Sequence, residues 1–180
     1  RCRHCKVIDR HTDPMTYNEA VNVMDIYYAR GGRYLYLEGG EPFIWKDGDY
    51  AMEDVVAYAK SRGFYAVIIY TNGTKPLHSR ADTIFVSVDG LQKSHDALRG
   101  KSFEKIMDHI RQSDHPSIYI NYTINTVNKD DIAGFCQYIS RINQIKGVFF
   151  YFHTPYYGYD ELHLDKIQKD QVLKNILELK

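Results

Sequence analysis

The sequence has little cysteine and no excess of charge of either sign. Its 180 residues include three cysteines, Cys2, Cys5 and Cys136, which are too few and too clustered for a disulfide scaffold. The 23 basic and 23 acidic side chains cancel, which argues against a nucleic-acid partner bound through a large positive charge. No stretch approaches the roughly 20 apolar residues of a membrane span, and no signal peptide stands at the start. We therefore expect a cytoplasmic protein with neither a nucleic-acid nor a membrane partner.

The sequence does contain enough apolar residues to build a folded core. Hydrophobic residues make up 44% of the chain and aromatic residues 14%, which excludes low-complexity disorder. At about 150 residues per domain, the length predicts one domain. No repeat, linker or internal boundary divides it.

Apolar runs alternate with segments of helical periodicity along the chain. Strands are predicted at residues 33–37, 64–70, 83–88, 117–124 and 148–152. A helix follows each strand, and one more helix, which opens with the capping-box pattern of Thr16 and Glu19, precedes the first strand. Strict alternation of this kind predicts an α/β fold with parallel strands and right-handed crossovers. Because the initial helix has no strand before it, we expect a first strand upstream of Arg1.

Several residues are predicted to begin or end helices. Asp49, Ser102 and Asn128 are suitable N-caps for the helices that follow them. Gly63 is a suitable end for the second helix. The segment H-D-A-L-R-G, residues 95–100, is predicted to form the loop before the helix that Ser102 caps.

In folds of this kind, ligands bind at the carboxyl ends of the strands. The segment L-E-G-G-E-P follows the first predicted strand. Gly39 and Gly40 allow the backbone to turn sharply and to approach a ligand, and Glu41 carries a negative charge that can meet an ammonium group. An ordinary βα turn, made rigid by Pro42, explains the segment equally well.

Polar residues also follow the second and third predicted strands. Asn72 lies in the turn-forming segment T-N-G-T. Ser87 and Asp89 lie two residues apart, so both can point to one side of a strand and hold a ribose or an amino-acid head group. Asp89 is an equally good helix cap. Arg99 can clamp a carboxylate, although an arginine in such a segment usually lies at the surface.

The last two predicted strands carry polar and aromatic groups near their ends. Residues 121–125 place polar groups on both sides of their strand, which a fully buried strand seldom does without a reason. Aromatic side chains at the end of the fifth strand either wall a substrate pocket or belong to an ordinary surface loop: Tyr151, His153, Tyr156, Tyr157 and Tyr159. The other histidines show no metal-ligand spacing and are expected to be solvated: His11, His78, His109, His115 and His163.

The pair Cys2 and Cys5 forms a C-x-x-C pattern, which can bind zinc, hold an iron–sulfur cluster or run thiol redox chemistry. A four-cysteine zinc site needs a second pair. Cys136 lies on the apolar face of a predicted helix, where a buried, inert thiol is the better interpretation. A thioredoxin-type pair would open a long helix directly, but here about ten polar residues intervene.

The order of these motifs resembles the radical S-adenosylmethionine superfamily. A cysteine loop is followed by G-G-E-P, T-N-G-T and S-V-D-G, and then by H-D-x-x-R-G. In that family, C-x-x-x-C-x-x-C binds three irons of a [4Fe–4S] cluster. Cys2 and Cys5 match the second and third cysteines, and the first would fall four positions before Cys2, upstream of Arg1. His4 stands where the family has an aromatic residue, so the resemblance implies that it packs on the adenine of S-adenosylmethionine.

The resemblance also implies roles at the strand ends. Gly39, Gly40 and Glu41 would receive the amino group of S-adenosylmethionine, and Ser87 would contact its methionine or ribose part. Four further residues would line the same cavity, the last two beside the adenine: Asn72, Asp89, Ile124 and Asn125. The implied fold is a partial (βα)6 TIM-like barrel with parallel strands whose first strand is missing from the fragment. Residues 1–180 would be a core domain that also lacks a C-terminal part.

The implied reaction is the reductive cleavage of S-adenosylmethionine to a 5′-deoxyadenosyl radical, which takes a hydrogen atom from a peptide or a small metabolite. The cofactors carry the difficult chemistry and the protein positions them. A flavodoxin or ferredoxin would supply the electron. Among members, the motifs are similar to those of molybdenum-cofactor cyclases, sulfatase maturases and hopanoid-type enzymes.

Three alternatives remain open at this point. With two of the three cysteines, the fragment alone is expected to be inactive, and a cluster-free binding or scaffold domain on the same fold is one alternative. A cluster-independent βα-barrel lyase with Glu41 or Asp89 as its base is the second. The third is a zinc module built from Cys2, Cys5 and a histidine such as His4 or His11.

Overall fold

The structure, a computed structural model, describes residues 2–5, 12–155, 158 and 160–179. The helices are α1 (Tyr17–Ala29), α2 (Met52–Arg62), α3 (Gln92–Arg99), α4 (Phe103–Gln112), α5 (Ile132–Ile139) and α6 (Lys166–Leu177). The strands are β1 (Tyr34–Leu37), β2 (Lys46–Asp47), β3 (Tyr50–Ala51), β4 (Ala66–Thr71), β5 (Thr83–Ser87), β6 (Ile118–Ile124) and β7 (Ile145–Phe152). None of the described helices is long and apolar enough to cross a bilayer.

Five strands form one parallel sheet in the order β1-β4-β5-β6-β7. The five predicted strands and their parallel direction are therefore confirmed. Because strands that follow one another along the chain are neighbours in the sheet, their carboxyl ends meet at a single edge. That edge brings together loops that lie more than 100 residues apart in sequence.

Helices α1, α2, α4, α5 and α6 pack on one face of this sheet. Alternate strand residues such as Leu37 and Ile69 form a core with α1 and α2, and others such as Val86 and Ile120 form a core with α4 and α5. Burial of these apolar side chains is the main stabilising contribution. The intervening strand residues point away from the helices and form what we call the open face.

Local sequence signals account for several helix ends. Thr16 and Glu19 form the expected capping box at the start of α1. Gly63 ends α2 with φ 97°, a left-handed conformation that favours glycine. The prediction that Asp49 caps the second helix was wrong. A hairpin of β2 and β3 precedes α2, and at the helix start the Asp54 carboxylate accepts a hydrogen bond from the Ala51 N–H.

The segment after β5 also differs from the prediction. His95 to Arg99 lie in the helix α3 and not in a loop. This short helix buries His95 and Leu98, three residues apart, and its sequence lacks a longer apolar stripe that could have indicated it. Asp131, and not Asn128, stands at the start of α5, and its carboxylate also accepts the Leu91 N–H beside α3.

Candidate functional site

The Glu41 carboxylate lies at the carboxyl edge, between the loops that follow β1 and β4. It is buried, and one of its oxygens accepts hydrogen bonds from the Thr71 hydroxyl (2.6 Å) and the Phe43 N–H (3.1 Å). The other oxygen accepts the Asn72 N–H at 2.7 Å. The side chain that was expected to meet a ligand's ammonium group is therefore occupied by donors of the chain itself, and it joins the two loops.

Gly39 and Gly40 precede Glu41 and differ from the other motif glycines. Both are exposed, neither has a positive φ, and a Cβ at either position would meet nothing within 4 Å. In contrast, Gly73 has φ 72°, and a Cβ there would lie 2.7 Å from the Val86 side chain. Fold and backbone conformation thus require Gly73 but not Gly39 or Gly40. The pair leaves open space beside the backbone, which is what a closely approaching ligand needs.

Asn72 and Ser87 follow β4 and end β5. The Asn72 side-chain oxygen accepts hydrogen bonds from the Thr74 N–H (2.8 Å) and hydroxyl (2.6 Å), so this residue shapes its own turn. Ser87 is half-buried, and its hydroxyl makes no hydrogen bond with the described residues. Of these two predicted ligand contacts, Ser87 has the free polar group.

The Asp89 carboxylate is completely buried and forms an ion pair with Arg99, whose Nε lies 2.5 Å from Oδ2. Its other oxygen accepts the Thr123 N–H at 2.8 Å. The expectation of a surface arginine was wrong, because the Arg99 side chain is only 11% exposed. A buried carboxylate needs such a partner, since an unpaired charge in the interior is costly.

His95 completes this cluster from α3. Its Nδ1 accepts the Asp89 N–H at 3.2 Å, and its Nε2 lies 3.0 Å from the Ser102 hydroxyl. Burial, and after it the charge of Arg99, lowers the pKa of His95 to about 4. The ring is therefore neutral at pH 7, as its role as acceptor for a backbone N–H requires.

The C-x-x-C segment folds over the same cluster. The Cys5 N–H donates to the Cys2 carbonyl at 3.3 Å, and the Arg3 N–H donates to the Leu98 carbonyl at 2.8 Å, which attaches the segment to α3. The Arg99 guanidinium lies 3.8 Å from the Cys2 Sγ. Both half-buried thiols thus lie in one turn beside a buried positive charge.

His4 lies between the cysteines and faces the Asp89 carboxylate, with Nε2 and Oδ2 3.7 Å apart. Its ring contacts the His153 ring edge to face, with 6.4 Å between centroids. Burial, and after it the charge of Arg99, lowers the pKa of His4 to about 4. His153 in turn lies 2.8 Å from the Asp160 carboxylate through its Nε2.

No three His, Cys, Asp or Glu side chains of the described ranges are arranged to hold a metal ion. Cys2, Cys5 and His4 therefore do not form the zinc site considered from the sequence, and His11 lies outside the described residues. Tyr156, Tyr157 and Tyr159, which were expected either to wall a pocket or to belong to a surface loop, also lie outside the described residues.

The predicted adenine contacts do not present free side chains. Ile124 is buried in the core on the helix side of the sheet. The Asn125 side chain accepts the Val127 N–H at 2.9 Å and donates to the Thr123 carbonyl at 3.0 Å, so it builds the loop after β6. The backbone groups there are also bonded, since the Ile124 carbonyl accepts the His153 N–H at 2.8 Å and the Asn125 N–H donates to the Asn128 side-chain oxygen at 2.8 Å.

The other residues considered from sequence have structural roles. Burial raises the pKa of the half-buried Cys136 thiol, in keeping with an inert group. The expectation of solvated histidines was wrong for His115, which is buried and bonds the Ala81 carbonyl and the Ser117 N–H. His109 is half-buried and lies 2.9 Å from the Gly73 carbonyl. Short polar turns at the strand ends require such partners.

Asn121 belongs to the site, although no role could be given to it from sequence. It is in register with Ser87 on β5 and with Phe149 on β7. Its side-chain oxygen is buried and has no hydrogen-bond partner in the part of the chain that the structure describes. A polar residue in the middle of a buried strand was the signal for it, but its orientation toward the open face depends on the register.

Comparisons with known proteins agree with this geometry. The sequence profile of the Radical SAM superfamily matches residues 1–139. The solved structure of polyhistidine-tagged anSMEcpe with bound AdoMet has a TM-score of 0.76 and 15% sequence identity, and the match covers 99% of this chain and 55% of that one. The chain thus spans about half the length of that protein, and the likeness establishes the fold of a partial TIM-like core. A comparison with curated proteins finds no match.

Proposed function

The chain belongs to the radical SAM superfamily, and we propose from this premise that it is the core of an enzyme that cleaves S-adenosylmethionine reductively to a 5′-deoxyadenosyl radical. The observation that carries the proposal is the pair Gly39 and Gly40, whose open space is required neither by the fold nor by backbone conformation. It lies on the same sheet edge as the free Ser87 hydroxyl. A ligand with an amino group and a ribose matches these features.

Different residues of the chain have different roles in binding S-adenosylmethionine. Glu41 holds the loops after β1 and β4 together, so that the backbone carbonyls of Gly39 and Gly40 are available to an ammonium group. Ser87 offers its hydroxyl to the methionine or ribose part. His4, buried and neutral near pH 7, supplies a flat ring against which an adenine can pack.

The donor set fits two of the thiolate ligands of an iron–sulfur cluster. Cys2 and Cys5 lie in a single turn, and Arg99 places a positive charge beside them that favours thiolates. When bound, such a cluster supplies the electron that breaks a carbon–sulfur bond of S-adenosylmethionine. A third thiolate would have to come from a residue that precedes Cys2, as in the family motif. The chain's own residues position the cofactors and keep water away from them.

We propose further that the radical takes a hydrogen atom from a peptide or small-metabolite substrate, and that a flavodoxin or ferredoxin is the electron donor. The open face supports the first part, since the half-buried Ser87 lies on it and the exposed Phe149 and Tyr151 lie on the same face. The neutral overall charge fits a transient encounter with a small redox partner rather than permanent assembly on a charged polymer.

The test is anaerobic reconstitution of the full-length protein, which must include the residue four positions before Cys2, with iron and sulfide, followed by reduction with dithionite in the presence of S-adenosylmethionine. We expect 5′-deoxyadenosine in the wild type and in the matched control Cys136→Ala, and none in Cys5→Ala, which should also lose iron. Ser87→Ala should keep the cluster but bind S-adenosylmethionine more weakly. A fully loaded cluster without any 5′-deoxyadenosine would overturn the proposal.

The second candidate is a cluster-free binding domain on the same fold. It is favoured by the observation that no three metal-binding side chains come together among the described residues. It predicts S-adenosylmethionine binding that is unchanged in Cys5→Ala. The lyase alternative has less support, because internal donors hold both of its candidate bases, Glu41 and Asp89.

A further inference from the structure

The open face of the sheet carries a continuous set of aromatic rings. Six side chains, which we call the aromatic wall, occupy alternate strand positions that point away from the helices: Tyr36, Tyr70, Phe85, Tyr119, Phe149 and Tyr151. Five of these rings, one from each strand of the sheet, contact one another, and Tyr151 lies beside them on β7. Phe85 stacks on Tyr70 with 4.7 Å between centroids, and it meets Phe149 edge to face at 5.0 Å.

The outer rings of the aromatic wall are exposed, whereas its central ring is buried. Tyr36 is 54% exposed, Phe149 45% and Tyr151 46%, but Phe85 only 7%. Several large aromatic side chains exposed to this extent on one face favour a binding site. The open-face positions of β1, β4, β5 and β6 carry no Lys or Arg, so these strands present no positive charge to a phosphate or carboxylate.

Charge and hydrogen bonding near the wall favour a ligand that is not anionic. Burial, then Tyr151, and then the Glu38 carboxylate raise the pKa of Tyr70 to about 12. Tyr70 therefore stays a neutral phenol, and Glu38 contributes negative charge at the mouth of the face. A negatively charged ligand would meet repulsion there without any compensating cation.

One polar group is placed to orient a ligand on the wall. The buried side-chain oxygen of Asn121 has no hydrogen-bond partner among the described residues, and Asn121 is flanked in register by Ser87 and Phe149. Leaving such an acceptor unsatisfied costs free energy. An N–H or O–H group of a bound molecule would remove that cost.

We propose that the aromatic wall binds the substrate through a planar aromatic ring that carries an N–H or O–H donor and no negative charge, with the donor on the Asn121 oxygen. This inference rests on the proposed function, because the substrate atom that gives up its hydrogen must lie next to the cofactor that Ser87 is proposed to contact. The aromatic wall begins at the next open-face position of the same strand. Free aromatic metabolites and aromatic residues of a peptide share this chemistry.

The test measures binding and does not require catalysis. N-acetyl-tyrosinamide and N-acetyl-tryptophanamide are titrated calorimetrically into the oxidised, reconstituted protein with S-adenosylmethionine present. We expect both to bind. N-acetyl-leucinamide has no ring to stack, and the phosphotyrosine analogue would bury an unpaired charge. Each should therefore bind at least about tenfold more weakly, which corresponds to about 1.4 kcal/mol or more. Equal binding of the leucine or the phosphotyrosine compound would overturn the proposal.

Matched variants locate the site. Tyr151→Leu should weaken binding of the tyrosine amide about fivefold, and Asn121→Leu about three- to tenfold, as expected for one lost ring contact and one lost hydrogen bond. Tyr27→Leu on α1 is the control, because Tyr27 is 45% exposed but lies on the opposite side of the sheet, and it should bind like the wild type. Unchanged binding in Asn121→Leu that keeps the wild-type melting temperature would contradict the assignment.

One further comparison distinguishes a peptide substrate from a free aromatic metabolite, and another distinguishes failure of the inference about the wall from failure of the proposed function. A short peptide with a central tyrosine that binds more tightly than the free amide would support a peptide substrate, and equal affinities would support recognition of the ring alone. If the aromatic amides fail to bind while reduction still yields 5′-deoxyadenosine, the inference about the wall is wrong and the proposed function stands. If 5′-deoxyadenosine fails to form but the amides bind at the wall, the proposed function is wrong and the inference that the wall binds an aromatic ring stands.

Discussion

Two buried carboxylates hold the carboxyl edge of the sheet together, and they do so in different ways. Glu41 is surrounded by neutral donors, one hydroxyl and two backbone N–H groups, all from loops near it. Asp89 is paired with the guanidinium of Arg99 and with one backbone N–H of β6. The first joins two adjacent loops, whereas the second joins β5, α3 and β6 through charge.

The difference shows that acidic residues and their small neighbours have separate roles within one motif. Both acidic residues belong to segments that indicate ligand binding, yet both carboxylates serve the scaffold. The groups left for a ligand are their small neighbours, the open pair Gly39 and Gly40 beside Glu41, and the free hydroxyl of Ser87 beside Asp89. A rigid support behind small, accessible groups is what precise ligand placement requires.

The largest effect is expected from breaking the ion pair. Arg99→Leu leaves the Asp89 charge buried without its partner and should cost about 3–5 kcal/mol of unfolding free energy. Urea unfolding followed by circular dichroism measures it. Arg62→Leu is the matched control, because its pair with Asp25 is about 40% exposed and should contribute less than about 1 kcal/mol. If both variants lose the same free energy of unfolding, Arg99 does not stabilise the buried Asp89 charge as described.

The next effect concerns pH and the histidine that supports Asp89. The pKa of His95 is about 4 in the folded protein against 6.5 for an ordinary histidine, so the unfolded chain binds the proton more tightly. The contribution of His95 to stability is therefore complete above pH 6.5 and is lost as the pH falls toward 4, on the order of 3 kcal/mol in all.

His95→Gln should flatten the stability profile between pH 6.5 and 4, measured by urea unfolding at a series of pH values. His78→Gln, whose side chain is 70% exposed, should leave the profile unchanged. An NMR titration that shows the His95 ring protonating near pH 6.5 would contradict the expected neutral state.

A smaller loss is expected on the Glu41 side. Glu41→Gln keeps the shape but replaces one acceptor oxygen by an NH₂ group, so one of the three donors loses its partner, at about 1–3 kcal/mol. Glu104→Gln, at an exposed position on α4, should change the free energy of unfolding by less than about 0.5 kcal/mol. A Glu41→Gln loss as large as that of Arg99→Leu would remove the distinction between the two carboxylates.

The smallest effect on stability is expected at Gly39. Because a Cβ there meets no atom of the chain, Gly39→Ala should change the unfolding free energy by less than about 0.5 kcal/mol and yet weaken S-adenosylmethionine binding. Gly73→Ala, with φ 72° and Val86 2.7 Å away, should do the opposite and destabilise the fold. Calorimetric titration and thermal melting of the two variants provide the comparison.

Most of the fold could be predicted from the sequence because it follows from short-range patterns. Apolar runs indicate buried strands, and the capping box at Thr16 and the glycine at 63 mark helix ends. The short helix α3 and the β2–β3 hairpin escaped these patterns, since each owes its stability to contacts made elsewhere, such as Asp131 with the Leu91 N–H. Glu41, Asn72, Ser87 and Asp89 were all predicted to lie at one edge, and parallel strands require that.

The sequence by itself determined the parallel sheet, the edge where ligands are predicted to bind and the family to which the chain belongs, because periodicity and motif order are local properties. Only the tertiary structure decided which atoms of that edge are free. Glu41 and Asp89 found partners in Thr71, 30 residues away, and in Arg99, from another element. Long-range pairing of this kind depends on strand register and burial, which no local pattern records, and the same register turned Asn121 toward the open face.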